Sequence, residues 1–163
     1  VINENLVKYY KNESQFVVKV LNGDGTPANG TNVTFNINGV FYTKEVINGT
    51  ATLNINLYPG DYIITTMYGK YAVGNNVTVL PTLITKDLDM KFQDGSNFTA
   101  KTLDGQGKPL ANQNITFNVN GVFYNRTTDE NGMANLLIRL NPGKYIITSI
   151  WNEYQVGRTI TIA

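Results

Sequence analysis

The side chains best able to do chemistry are missing from this chain or stand alone in it. Its 163 residues include no His and no Cys. Acid–base work near neutral pH therefore has no imidazole, nucleophilic attack has no thiol, and Ser-His and Cys-His pairs are excluded. The same absences remove the usual ligands of zinc and iron. Paired carboxylates could still hydrolyse a glycosidic bond, and Glu45 and Asp61 are acids set among apolar, strand-like residues. Asn22 with Asp24, and Asp129 with Asn131, look like fragments of calcium loops. A calcium site needs about six to eight oxygens, and neither turn carries regularly spaced carboxylates closed by a bidentate Glu. Ordinary turn chemistry, in which Asn and Asp bond their own backbone, accounts for both. The expectation is no catalytic residue, no metal site and no cofactor.

Two other residue groups could act at a surface. Tyr68 and Tyr71, matched by Trp151 and Tyr154, flank a hairpin near the end of each half of the chain. They could stack on a sugar ring or close the end of their own fold. The first possibility makes a carbohydrate-binding module the alternative function. Eight Asn-x-Ser/Thr sequons occur, starting at Asn12, Asn29, Asn32, Asn48, Asn76, Asn97, Asn114 and Asn125, where composition alone predicts about three. The excess suits a surface glycoprotein, with Asn12, Asn29, Asn48, Asn76, Asn97 and Asn125 as candidate acceptors. Asn32 and Asn114 lie within strand-like runs, where Asn and Thr serve equally well as strand exteriors.

The elements that must carry these residues are strands. Val33, Phe35 and Ile37 alternate with polar residues, as do Ala51, Leu53, Ile55 and Leu57. This period of two belongs to strands with one face buried. Turn signals punctuate the chain at strand-length intervals: Asn22-Gly23-Asp24-Gly25, Asn38-Gly39, Asn48-Gly49 and Pro59-Gly60, then Asp104-Gly105-Gln106-Gly107, Asn120-Gly121, Asn131-Gly132 and Pro142-Gly143. The class is all-β, and no stretch carries a helical period.

Displacing the chain by 82 residues lays 34–42 (TFNINGVFY) on 116–124 (TFNVNGVFY). After one inserted residue near Asp129, 57–65 (LYPGDYIIT) meets 140–148 (LNPGKYIIT). Roughly 30 of some 75 aligned positions are identical, the mark of a duplicated unit. The division predicts one β-sandwich over 1–81 and a second over 82–163. Each is predicted to have seven strands, near 5–9, 15–21, 32–38, 40–46, 51–57, 61–68 and 72–80 in the first. The segment 81–87, stiffened by Pro81, would join them with little freedom. Asp61 becomes Lys144 and Glu45 becomes Thr127 between the copies, so the acids change while the scaffold stays. That disfavours an enzyme.

Tyr62 and Tyr145 follow Pro-Gly-x at the start of the predicted sixth strand. In immunoglobulin-like sandwiches a Tyr there bonds back to the chain, two residues before a disulfide Cys. Ile64 and Ile147 hold that position in this chain, so a disulfide-free relative is one reading. A core-edge Tyr with no such bond is the other.

The runs NVTFNINGVFYTKEVINGTATLNINLYPGDYIITTMY and NITFNVNGVFYNRTTDENGMANLLIRLNPGKYIITSIW resemble the immunoglobulin-like repeats of large adhesin-like surface proteins of methanogenic archaea. The resemblance covers nearly all of both units. It implies two tandem immunoglobulin-like sandwiches from a cell-surface stalk, anchored to the envelope through other parts of a longer chain. The Pro-Gly-x-Tyr element recurs in bacterial stalk domains and transthyretin-like modules, so it specifies an architecture more than an activity. Some stalk domains cross-link their first and last strands through a Lys–Asn isopeptide bond. By that resemblance Lys8 would join Asn75 or Asn76, although no inward acid is found to promote the reaction and the second unit carries Arg158 and Thr159 instead. The alternative is a solvated Lys8 and a turn-forming or glycosylated Asn76.

The partners implied are a host or microbial cell-surface protein or glycan, and neighbouring repeats of the same chain. Thirteen basic and twelve acidic residues leave a net charge of +1, with no basic stripe to hold nucleic acid. Apolar runs are too short to span a membrane as a helix. Beginning at Val1 and ending on the strand-like 159–162, the sequence reads as a piece of a larger protein.

Overall fold

The computed structural model describes all residues from Val1 to Ala163, and every regular element in it is a strand. The chain divides into two compact units, Val1–Pro81 and Thr82–Ala163. Unit 1 has β1 (Ile2–Asn3), β2 (Leu6–Tyr9), β3 (Gln15–Lys19), β4 (Asn32–Ile37), β5 (Val40–Glu45), β6 (Thr50–Asn54), β7 (Gly60–Tyr68) and β8 (Tyr71–Leu80). A three-stranded sheet runs β1-β3-β6 and a five-stranded sheet runs β2-β8-β7-β4-β5. Unit 2 repeats the plan with β9 (Leu83–Thr85), β10 (Leu88–Met90), β11 (Asn97–Thr102), β12 (Asn114–Val119), β13 (Val122–Thr127), β14 (Met133–Leu137), β15 (Gly143–Trp151) and β16 (Tyr154–Ile162). Its sheets are β9-β11-β14 and β10-β16-β15-β12-β13. Each unit is an immunoglobulin-like sandwich.

Each unit has eight strands rather than the seven expected, because its opening segment changes sheets. β1 pairs antiparallel with β3, whereas β2 crosses to the other sheet and pairs parallel with β8. Asn5, between them, fixes the crossing: its Oδ1 accepts from Asn75 Nδ2 at 3.1 Å and from the Asn76 N–H at 2.9 Å. The end of the fifth predicted strand, 51–57, also shifts, since β6 leaves its ladder at Asn54 while Ile55 remains buried beyond it.

The inward faces are those the alternation indicates. Val33, Phe35 and Ile37 are buried on β4, and Ala51 and Leu53 on β6. Phe35 meets Phe16 edge to face at 5.9 Å and 87°. Phe117 meets Phe98 in the same way, at 5.8 Å and 84°. Such pairs add to what area burial alone provides. Ile64 and Ile147 are fully buried where a disulfide sulfur would sit, so packing replaces the covalent link between sheets.

Both tyrosine corners form. Tyr62 Oη donates to the Tyr58 carbonyl at 2.7 Å, and Tyr145 Oη to the Asn141 carbonyl at 2.8 Å. Each ties the turn entering β7 or β15 to the strand itself. Two of the Asn-Gly turns, at Gly49 and Gly132, are held by close contacts as well. Gly132 lies at φ +74°, and a Cβ there would come within 2.6 Å of the Thr102 carbonyl oxygen, so only glycine fits.

Candidate functional site

Lys8 is the one charged side chain that the fold buries. It points inward from β2, and its Nζ donates to the Ile55 carbonyl at 2.8 Å and to the Ser14 carbonyl at 3.2 Å. Burial pushes its pKa below the ordinary lysine value of 10.5, because desolvation penalises the ammonium form. The amine thus staples the edge of one sheet to the ends of chain segments belonging to the other. Unit 2 places Met90 at the equivalent position on β10, where it is also buried.

The structure does not bring Lys8 together with Asn75 or Asn76. Lys8 is level with Val79 in the β2–β8 ladder, while both asparagines sit further back along β8, bonded to Asn5. Asn76 is exposed. Glu45 and Asp61 are exposed as well, so no acid stands beside the amine to promote its attack. The inward direction of Lys8 was not readable from the sequence, because Leu6 and Val7 before it are both apolar and show no alternation. Nor were its carbonyl partners, since Ile55 is 47 residues away along the chain.

The four hairpin aromatics are placed unequally. Tyr68, Trp151 and Tyr154 are half-buried against the cores of their own units. The Trp151 indole N–H is engaged, donating to Gln113 Oε1 at 3.2 Å. Tyr71 alone presents a broad ring to solvent, at 71% exposure. The turn carboxylates are likewise occupied. Asp24 Oδ1 accepts from the Thr26 N–H and hydroxyl, and these bonds hold its pKa below the usual carboxylate value. Asp129 Oδ1 accepts from the Asn131 and Met133 N–H groups.

Among the sequons, Asn29, Asn48, Asn76, Asn97 and Asn125 are exposed and Asn12 is half-buried. Asn48 takes φ +50° in a turn whose N–H donates to Asn29 Oδ1. Asn125 Oδ1 accepts from the Thr116 hydroxyl across the β12–β13 pair.

Unit 2 also has two open clefts, of about 340 and 420 Å³, on either side of Leu137–Leu140. Arg139 lines both, and Arg126 lies over the Tyr124 ring at 5.9 Å in the smaller. Unit 1 has Asn56 in place of Arg139.

No family model matches the chain. No curated protein matches it either. Solved structures do resemble it. The D0-D1 domain of intimin aligns with 17% identity and a TM-score of 0.42, covering 96% of each chain. The I9-I11 tandem of titin aligns with 15% identity and a TM-score of 0.48, covering all of this chain and 64% of that one. Invasin, a bacterial integrin-binding protein, aligns with 18% identity and a TM-score of 0.40, over 99% of this chain and 38% of its own. No helix is long and apolar enough to cross a membrane.

Proposed function

We propose that this chain is a pair of consecutive stalk repeats from a cell-surface adhesin-like protein of the kind methanogenic archaea carry. It acts as a non-catalytic spacer outside the cell. Anchorage to the envelope and the adhesive surface belong to other parts of the protein, whose target is a cell-surface protein or glycan. Exposed sequon asparagines, Asn29, Asn48 and Asn97 among them, are glycan acceptors in this reading. The observation that carries it is the parallel pairing of the second strand with the last in each unit. Parallel neighbours run the same way, so each unit takes the chain in at one end and releases it at the other. Units strung in this manner extend as they repeat.

The side chains that could have suggested chemistry are engaged in holding the fold: Lys8 on two carbonyls, Asp24 and Asp129 on their own turns. The sugar-binding alternative retains one broadly exposed ring, Tyr71. To test the spacer reading, one, two and four copies of the chain are placed between a surface anchor and a labelled binding domain, and the height of the label is measured by interference. A constant increment per copy is expected. A height independent of copy number would overturn the reading. Glycan-array binding lost in Tyr71→Ala or Trp151→Ala, with the fold intact, would establish the sugar-binding alternative instead.

A further inference from the structure

The two units have diverged unevenly over their exposed surfaces. On the three-stranded sheets the outward residues of β3 and β6 are Gln15, Val17, Lys19, Thr50, Thr52 and Asn54. Only Lys19 recurs in unit 2, as Lys101. On the five-stranded sheets a whole outward row is retained. Phe41, Asn36, Thr65 and Gly74 lie side by side across β5, β4, β7 and β8, and Phe123, Asn118, Thr148 and Gly157 do the same in unit 2. Ile63 and Ile146 neighbour these rows. All four apolar side chains are open to solvent: Phe41 and Phe123 at 62%, Ile63 at 67% and Ile146 at 65%. Core packing explains the retention of buried residues; it does not explain retention of exposed ones on one face alone.

We propose that these faces bind each other between two copies of the chain, unit 1 of one copy against unit 2 of the other. β7 and β15 are the central strands of their sheets, and their outward rows suit one another. A half-turn about the strand axis lays them parallel and in register. Ile63 then meets Ile146, Thr65 meets Thr148, and Asp61 meets Lys144. The flanking charge is the feature that differs in sign between otherwise similar faces, and the difference favours unlike units over like ones. The same half-turn sets Asn36 opposite Gly157 and Asn118 opposite Gly74, and leaves the Phe41 and Phe123 rings to close the two outer edges of the stack. A Cβ at Gly157 would meet nothing within 4 Å. The remaining charges on these faces, Glu45 at the far end of β5 and Asp89 on β10, lie at opposite ends of the register. Sheets stacked in this way pack about 10 Å apart.

The test is sedimentation equilibrium of the 163-residue chain at low salt, made without glycosylation because Asn76 is paired opposite Ile63. The mass should rise with concentration above the 18.1 kDa of a single chain. D61K or K144D alone should weaken association about tenfold, and D61K/K144D together should restore it. F41S should weaken it without rescue by either charge change. A mass of 18.1 kDa at all concentrations, single charge variants that associate like the parent, or a double variant that regains nothing would each overturn the inference. None of these results bears on the spacer reading, which depends on the copy-number measurement.

Discussion

Lys8 and Met90 fill equivalent places in the two units with opposite chemistries. An amine there must shed water and finds two carbonyls in exchange; a thioether only packs. The lowered pKa of Lys8 means that the folded state releases its proton at a pH where the unfolded chain still holds it. Unfolding then takes up a proton, so the stability of unit 1 gains from a rise in pH. The gain begins at the lowered folded value and is complete above 10.5. Comparing the parent with Lys8→Met isolates this contribution. In chemical denaturation between pH 7 and 10.5, the parent should gain on the variant as pH rises. Parallel curves would show that Lys8 is solvated. The residue was legible as a candidate amine, but not its direction, since Leu6 and Val7 are both apolar. What it touches depends on Ser14 and Ile55 arriving from elsewhere, which no local pattern encodes.

Strands show the same division between what is local and what is not. Alternation and Asn-Gly turns fixed the hairpins β4–β5 and β12–β13 to within a residue, because their registers are set by two-residue turns. The Pro-Gly-x-Tyr element placed both tyrosine corners, each closing over only four residues. The split of the first strand was not legible. Asn5 receives its bonds from β8, 70 residues on, and a two-residue β1 carries too few side chains to show a period. The phenylalanine pairs make the inward assignment testable. Phe35 and Phe117 are fully buried in separate clusters, so Phe35→Ala and Phe117→Ala should each cost their own unit about 3–5 kcal/mol. Hydrogen exchange followed residue by residue should show accelerated opening in the altered unit alone. Protection unchanged in that unit would mean the face has been misassigned.

At the scale of the molecule, duplication was the clearest signal in the sequence, since aligned turns and cores leave little choice of period. Each unit encloses its own core. The separated segments 1–81 and 82–163 should therefore each fold, with a cooperative thermal transition by circular dichroism and dispersed amide resonances. A half that lacks either would show that the units depend on one another. The retained outward rows escaped sequence reading because exposure is invisible there: Ile63 and Ile64 are neighbours of the same type, one facing water and one in the core.

The parallel ladder between the second strand and the last has a mechanical consequence. Tension applied to the two ends of a unit draws these strands past each other along their length, so the ladder is loaded in shear. Its hydrogen bonds then resist together instead of opening one after another as in a peeled hairpin. The two ladders start at equivalent pairs, Leu6 with Val77 and Leu88 with Ile160, and end on equivalent bonds, from the Tyr10 N–H to the Leu80 carbonyl and from the Phe92 N–H to the Ala163 carbonyl, so both units meet a pull with the same set of bonds.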